Sequence, residues 1–392
     1  MSIIYLDHAA TTPVLPEVTE AMLPYYKERY GNPSGIYQFA QHRKKEIENV
    51  RKILAESINA APHEIYYTSG GTEADNWALK CSCFMGSTGK THMITTKIEH
   101  HAVLNTCKEL ENRGTKVTYL NVDENGRISL KELEKAIDSG TVLVSVMFAN
   151  NEVGTIEPIK EAGYLCKKHG VLFHTDAVQA YGHIPIDVEK MNIDMLSVSA
   201  HKFNGPKGIG FLYIREGIAL PSYIHGGGQE SGKRAGTENV AGIIGMGKAA
   251  EISQKRMEED NRKLLHLREH LIHRFLREIP YCRINGDRKN RLPGNCNVSF
   301  QFIDGGSLLI LLDTAGICAS AGSACSSGEG ASSHVLSAMG IPEEIARGTI
   351  RFSIGAQNTL EEIDEAADYV RENVKKLRET SAEYEDYQNK YV

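Results

Sequence analysis

Two short segments carry groups whose combination has a chemical use. Ser199-Ala200-His201-Lys202 follows the apolar run Met195 to Val198, and Asp176-Ala177-Val178-Gln179 follows the run Val171 to Phe173. A lysine just past a strand end can form a Schiff base with an aldehyde. A carboxylate just past another strand end can hold a protonated ring nitrogen. Pyridoxal phosphate needs that pair: a covalent lysine, and an anion on its pyridinium nitrogen so that the ring accepts electrons. Taken singly, Lys202 is an ordinary solvated lysine and Asp176 an ordinary helix cap. The reading rests on the groups that accompany them.

Thr68-Ser69-Gly70-Gly71-Thr72-Glu73 follows an apolar run and opens a helical pattern. Exposed amides and the positive end of a helix dipole favour a phosphate there, with Gly70 and Gly71 allowing close approach and Thr72 adding a hydroxyl. Ser199 and His201 are further phosphate donors beside Lys202. His100, in Glu99-His100-His101, can stack on a pyridine ring and move protons, because its pKa lies near neutrality. Asn150-Asn151-Glu152-Val153-Gly154 offers amides for a ring hydroxyl or a substrate carboxylate. Arg351, within Thr349-Ile350-Arg351-Phe352-Ser353, suits an amino acid's carboxylate. The stretch Ala319 to Gly330 is small, polar and glycine-rich around Cys325, and a thiol in such surroundings can reach a substrate and act as nucleophile. Each has a plainer counterpart: an N-capped turn, a solvated histidine, a glycine turn at Gly154, a sheet-face ion pair, a buried cysteine.

The elements that must position these groups alternate. From Ile65 to Ile214 the strand candidates are Ile65–Thr68, Met93–Thr96, Val117–Leu120, Val142–Phe148, Val171–Thr175, Met195–Val198 and Ile209–Ile214. Helical patterns lie between them at Glu73–Phe84, Ala102–Arg113, Leu130–Ile137 and Ile159–Lys168. Nearly continuous apolar strands predict an α/β architecture: a mainly parallel sheet covered by helices on both faces, with ligands beyond the strands' carboxyl ends. After about Asn239 a long helical pattern runs to Ile279. Strands near Cys296–Phe300 and Thr349–Ile354 and helices near Ser307–Thr314 and Leu360–Arg378 then predict a smaller α+β domain. The expected division is a large domain over 15–255, and a small one from 1–14 plus 256–392 that carries a cysteine loop at about 319–332.

The 392 residues exceed one comfortable core, which agrees with two domains. With 44 basic and 50 acidic residues the formal net charge is −6, which gives no general attraction to nucleic acid or an anionic membrane. Met1 to Thr12 has no basic leader with an apolar stretch, and no apolar run is long enough to span a bilayer, so a cytoplasmic protein is expected. The eight cysteines are scattered, contain no Cys-x-x-Cys, and suggest reduced thiols and no metal site.

In combination these segments resemble the NifS/IscS-type cysteine desulfurases, fold-type-I pyridoxal phosphate enzymes of the class V aminotransferase family. The matching segments run almost end to end: Tyr5-Leu6-Asp7-His8-Ala9-Ala10-Thr11-Thr12-Pro13, Gly31-Asn32-Pro33-Ser34, Thr68–Asn76, Glu99-His100, Asn150–Gly154, His174–Gln179, His201–Gly210, Arg234-Ala235-Gly236-Thr237, Gly322–Ser326 and Ile350–Gly355. The resemblance implies that Lys202 binds the cofactor covalently, that Asp176 pairs with its ring nitrogen, that Gln179 meets its phenolic oxygen and that His100 stacks on the ring. It implies phosphate contacts from Gly71, Thr72, Ser199 and His201, joined by Thr237 from the other subunit of a homodimer. Asn32, Asn151 and Arg351 would hold the carboxylate of L-cysteine, Asn151 also lying against the cofactor. Cys325 would accept sulfur as a persulfide, with a transient iron–sulfur ligand role as a further implication.

Gly322-Ser323-Ala324-Cys325 resembles the long-loop subgroup that donates sulfur to protein partners, such as an iron–sulfur scaffold or a thiolation enzyme. The chain stops soon after Tyr384-Glu385-Asp386-Tyr387, whereas some relatives carry a longer tail that docks the scaffold. A selenocysteine lyase or another β-eliminating lyase would share most of these residues. A non-catalytic sulfur-relay protein would share the fold alone.

Overall fold

The computed structural model describes residues 3–83, 91–321 and 333–391. Its centre is a seven-stranded sheet. From one edge to the other the strands are Lys116–Leu120, His92–Thr96, Thr141–Ser145, Leu172–Asp176, Met195–Ser199, Gly210–Ile214 and Ile65–Thr68. All pairings are parallel except those of Gly210–Ile214, which runs antiparallel to both neighbours. Apolar side chains fill both faces. Phe173, Leu196 and Phe211 belong to one buried cluster, and Met93, Leu143, Met195 and Leu212 to another with Trp77 and Val103 from the covering helices. This two-sided burial explains why these strands read as apolar runs.

Helices Gly71–Cys83, His101–Asn112, Leu130–Ala136 and Ile159–His169 fall within a few residues of the predicted patterns. Phe84, the expected end of the first, lies outside the described residues. Helix Ile159–His169 ends at Gly170 in the left-handed conformation (φ 64°) behind Lys167, Lys168 and His169, as cap and dipole rules require. One expected strand is shorter than its apolar run. Val142–Phe148 is regular only over Thr141–Ser145, because the amide of Met147 is drawn to the Glu99 carboxylate at 2.9 Å. The 19-residue helix Gln38–Glu56 has no counterpart among the expected elements. Its inner face mixes Ile47, Val50 and Leu54 with buried Arg43 and Arg51, and that charge masks the apolar stripe. Arg51 is tolerated inside because its Nη1 and Nη2 reach the Glu230 carboxylate at 2.9 and 2.8 Å.

Helix Val240–Glu278 runs for 39 residues, about 58 Å at the helical rise. Asn239 caps it by accepting from the Gly242 amide. Its first half gives Ile243, Met246 and Ala250 to the large-sheet core. Its second half gives Leu264, Leu267, Leu271 and Phe275 to a separate core with Val298, Phe300, Phe352 and Val370. That core backs a four-stranded antiparallel sheet in the order Ser320–Ala321, Thr349–Ser353, Asn295–Phe300, Cys282–Ile284. The N-terminal strand Ile4–Tyr5 pairs in parallel with Ile317–Cys318, and Asp7 bridges to Ser353. From there residues 8–13 cross to the loops of the large sheet. The N-terminal segment is therefore a strap that joins the two halves.

Candidate active site

A cavity of about 670 Å³ opens beyond the carboxyl ends of the large sheet's parallel strands. It is lined by Gly70, Gly71 and Thr72 after strand Ile65–Thr68, His100 after His92–Thr96, Asn151 and Glu152 after Thr141–Ser145, Asp176 at the end of Leu172–Asp176 with Gln179 beyond it, and Ser199 at the end of Met195–Ser199 with His201 and Lys202 beyond it. Ala9, Ala10 and Thr11 of the strap and Arg351 of the small sheet also line it. The sequence separations are large, but parallel strands place all their carboxyl ends at one edge.

At one end lies the amino terminus of helix Gly71–Cys83, whose first amides have no intrahelical partner. Two glycines make this anion cradle. A Cβ on Gly71 would meet Val178 Cγ2 at 2.5 Å, and one on Gly210 would meet the Val198 carbonyl at 2.3 Å and Gly70 Cα at 2.8 Å. Without those close approaches the Gly70 turn would stand away from Ser199. His201 faces the same end, with its Nδ1 3.1 Å from Thr11 Oγ1. Burial and the ammonium groups of Lys202 and Lys207 hold its pKa down to about 4, so the ring is neutral at pH 7.

In the middle stands Asp176, 5 % exposed, with Oδ1 accepting from the Val178 amide at 2.9 Å. Burial raises its pKa, while His100, the Val178 amide and Lys202 oppose the shift. His100 is neutral because burial lowers its pKa. Its Nδ1 accepts from the Ala102 amide at 3.1 Å, which leaves the ring proton on Nε2. Asp75, His100 and Asp176 bring ligand-type atoms within 4.8 Å of one another. A cation would need the Nε2 lone pair, which this tautomer lacks, whereas a flat ring over the imidazole would not. Lys202 closes the short 3-10 turn Ala200–Lys202, and its Nζ donates to the carbonyls of Ala9 and Ala10 at 2.6 and 2.8 Å. Gln179 Nε2 also donates to Ala9, at 3.0 Å.

At the far end Arg351 is 2 % exposed. Its Nη2 pairs with Asp7 Oδ1 at 2.8 Å, its Nη1 donates to the Asn151 carbonyl at 3.1 Å, and its buried Nε has no hydrogen-bond partner among the described residues. Glu152 accepts from Ser333 Oγ, and burial pushes its carboxyl up to about 7 against the pull of Ser333 and Arg351.

Of the residues singled out from the sequence, Gly71, Thr72, His100, Asn151, Asp176, Gln179, Ser199, His201, Lys202 and Arg351 line this one cavity. Asn32 and Thr237 do not line it and are exposed. Cys325 lies outside the described residues. Missed by the sequence reading were the Ala9 and Ala10 carbonyls that take the Lys202 amine, the buried acids Asp75, Glu99 and Glu152, and His334, which donates to the Glu99 carbonyl at 3.0 Å. Backbone acceptors leave no trace in side-chain type. The acids carry no local pattern that separates them from surface carboxylates.

The donor set fits pyridoxal phosphate. It offers a helix amino terminus with Thr72 and Ser199 for the phosphate, a buried carboxylate for the ring nitrogen, a neutral imidazole for its face, and an amine for the aldehyde. The comparisons agree. The aminotransferase class-V family model matches residues 4–366. A cysteine desulfurase IscS of Clostridium botulinum is 52% identical over 98% of this chain and 97% of its own length. One of Methanosarcina thermophila is 53% identical over 96% and 93%. Among solved structures, a NifS-like protein superposes with a TM-score of 0.91 at 41% identity, covering 96% of this chain and 100% of its own. SspA in complex with cysteine gives 0.79 at 37% identity, covering 91% and 100%. On geometry and descent together, the chain belongs to the class-V aminotransferases and, among them, to the pyridoxal-phosphate-dependent cysteine desulfurases.

Proposed function

We propose that this enzyme converts L-cysteine to L-alanine, leaving the sulfur as a persulfide on Cys325 for a protein acceptor. One observation carries the assignment of roles: Lys202, Asp176, the Gly71 helix terminus and Arg351, from four distant parts of the chain, converge on one cavity. When bound, pyridoxal phosphate supplies an electron sink for the bond-breaking at the substrate's Cα. Lys202 would hold the cofactor's aldehyde, and its amine, once free, would take the Cα proton. Asp176 as an anion keeps the ring nitrogen protonated. His100 covers the ring and passes a proton near the substrate sulfur. Gln179 meets the phenolic oxygen, and Gly71, Thr72, Ser199 and His201 hold the phosphate. Arg351 and Asn151 orient the substrate carboxylate, with Asn32 assisting. The Cys325 thiolate attacks the substrate sulfur: an S–S bond forms, the C–S bond breaks, and its electron pair stays with the carbon that becomes alanine's methyl group after protonation. Two thiols thus give one persulfide and one alanine, with no outside oxidant.

A homodimer supports the placement of Thr237 and Asn32. Leu23, Tyr26, Tyr30, Ile36, Tyr37 and Phe39 are exposed, several of them more than half, in the segment that contains Asn32. Such a set of exposed apolar side chains suits a second copy, which would carry Thr237 to the neighbouring phosphate site. The sulfur acceptor is an iron–sulfur scaffold or a thiolation enzyme, and the cytoplasm is the compartment in which they meet. Among the described residues no helix is long and apolar enough to cross a membrane.

The test is Cys325→Ala. The variant keeps its yellow cofactor and loses alanine production from cysteine. Unchanged turnover would remove Cys325 from the reaction.

A further inference from the structure

Among the described residues, Asp7 is the one carboxylate paired with the guanidinium that faces the cavity from the small sheet. It does not line the cavity itself, and its pairing is not needed to hold the strap. The backbone does that: the His8 amide donates to Ser353 O at 3.2 Å, the Ser353 amide to Leu6 O at 2.7 Å, and the Ala10 amide to Asp7 O at 3.0 Å. The Asp7 carboxylate therefore serves Arg351.

We propose that Asp7 is a specificity-determining residue, which makes the Arg351 site accept a zwitterionic α-amino acid over a simple carboxylate. The inference rests on Arg351 receiving the substrate carboxylate. A lone buried guanidinium would attract any anion strongly, because its charge is poorly solvated. Paired with Asp7 at 2.8 Å it forms a neutral couple, with no acceptor on Nε among the described residues. A simple carboxylate that takes Nε brings a net negative charge to a site that already holds the half-buried Asp7 and the buried Asp176. An amino acid brings its ammonium group along and adds no net charge. The difference between the two ligands is thus set by the negative charge of Asp7, by repulsion as much as attraction. The strap also fixes the spacing, since Ala9, two residues on, accepts from Lys202 Nζ at 2.6 Å. The couple that reads the carboxylate and the amine that meets the amino group share one short segment.

The experiment measures equilibrium binding of L-alanine and of propionate, which differ only in the amino group, to the cofactor-loaded protein by calorimetry. The wild type prefers alanine. Asp7→Asn keeps the shape and removes the charge, and it lowers the ratio of the propionate to the alanine dissociation constant by about 10-fold, in line with like-charge costs at such sites. Asp7→Glu retains the wild-type ratio. If Asp7→Asn does not fold, Asp7→Ser is measured in its place with the same expectation. A ratio unchanged on removal of the charge overturns the inference, whatever happens to each affinity, since a purely structural role moves both ligands alike. Arg351→Gln separates the two claims: if it leaves propionate binding unaltered, the assignment of Arg351 fails, and if it abolishes it while Asp7→Asn leaves the ratio fixed, only the role of Asp7 fails.

Discussion

The proposed phosphate end of the cavity and its proposed carboxylate end are built in opposite ways. The phosphate end is local. Gly70, Gly71 and Thr72 are consecutive, and Ser199, His201 and Lys202 lie within four residues, so two strand-to-helix turns make most of it. The carboxylate end joins Asp7, Asn151 and Arg351, the first and the last 344 positions apart. A site made of turns is fixed by backbone amides and glycine. One made across the chain is fixed by a buried ion pair and by the strap that carries it. The first should fail through backbone and volume changes, the second through charge.

The largest effect expected lies where the two ends meet. Lys202→Ala removes both the covalent link and the proton acceptor, and turnover of cysteine falls by about 10³-fold or more. Single-turnover alanine formation checks it. On the carboxylate side Arg351→Gln raises KM for cysteine by about 10²-fold with a smaller change in kcat, because it removes binding and leaves the half-buried Asp7 without its cation. Steady-state kinetics measure that split.

On the phosphate side the sensitivity is steric. Gly71→Ala sets a methyl group against Val178 Cγ2 at 2.5 Å, and cofactor affinity drops by about 10-fold from backbone displacement while KM for cysteine at saturating cofactor changes little. Fluorescence titration of the cofactor-free protein reads the effect. A loss of substrate affinity instead would erase the contrast between the two ends.

The smallest effect is one of pH. Burial pushes the Glu152 carboxyl from an ordinary 4.5 up to about 7. Between those values the folded chain holds a proton that the unfolded chain has released, so stability falls as pH rises through that window. Glu152→Gln removes this share, and the decline in Tm between pH 5 and 8 becomes shallower by a few degrees in scanning calorimetry. Glu157, pushed up to about 8 by its burial, adds a decline of the same sign that the variant retains. An identical slope in variant and wild type would show that Glu152 is ionised at low pH despite its burial.

This contrast also explains what the sequence could reveal. The large sheet was legible because strands buried on both faces must be apolar, and the phosphate turn because glycine, threonine and serine cluster at one strand end. The long helix was legible from Leu264, Leu267, Leu271 and Phe275 at helical spacing. Helix Gln38–Glu56 was not, because Arg43 and Arg51 occupy its inner face and are satisfied by Glu46 and by Glu230 of another loop. Arg351 stood out as a candidate carboxylate binder only in company. Its partner Asp7 was invisible as such, because the pairing depends on a strand that returns beside the N-terminus after more than 300 residues. Short-range chemistry is written in residue types, and long-range chemistry in topology.

The covalent link proposed for this site joins the Lys202 amine to the cofactor's aldehyde in the middle of the cavity. Borohydride reduction of the cofactor-loaded protein, followed by peptide mass spectrometry, tests it directly. A stable pyridoxyl group is expected on the peptide that contains Lys202. A protein that takes up no label, or carries it on another lysine, would contradict it.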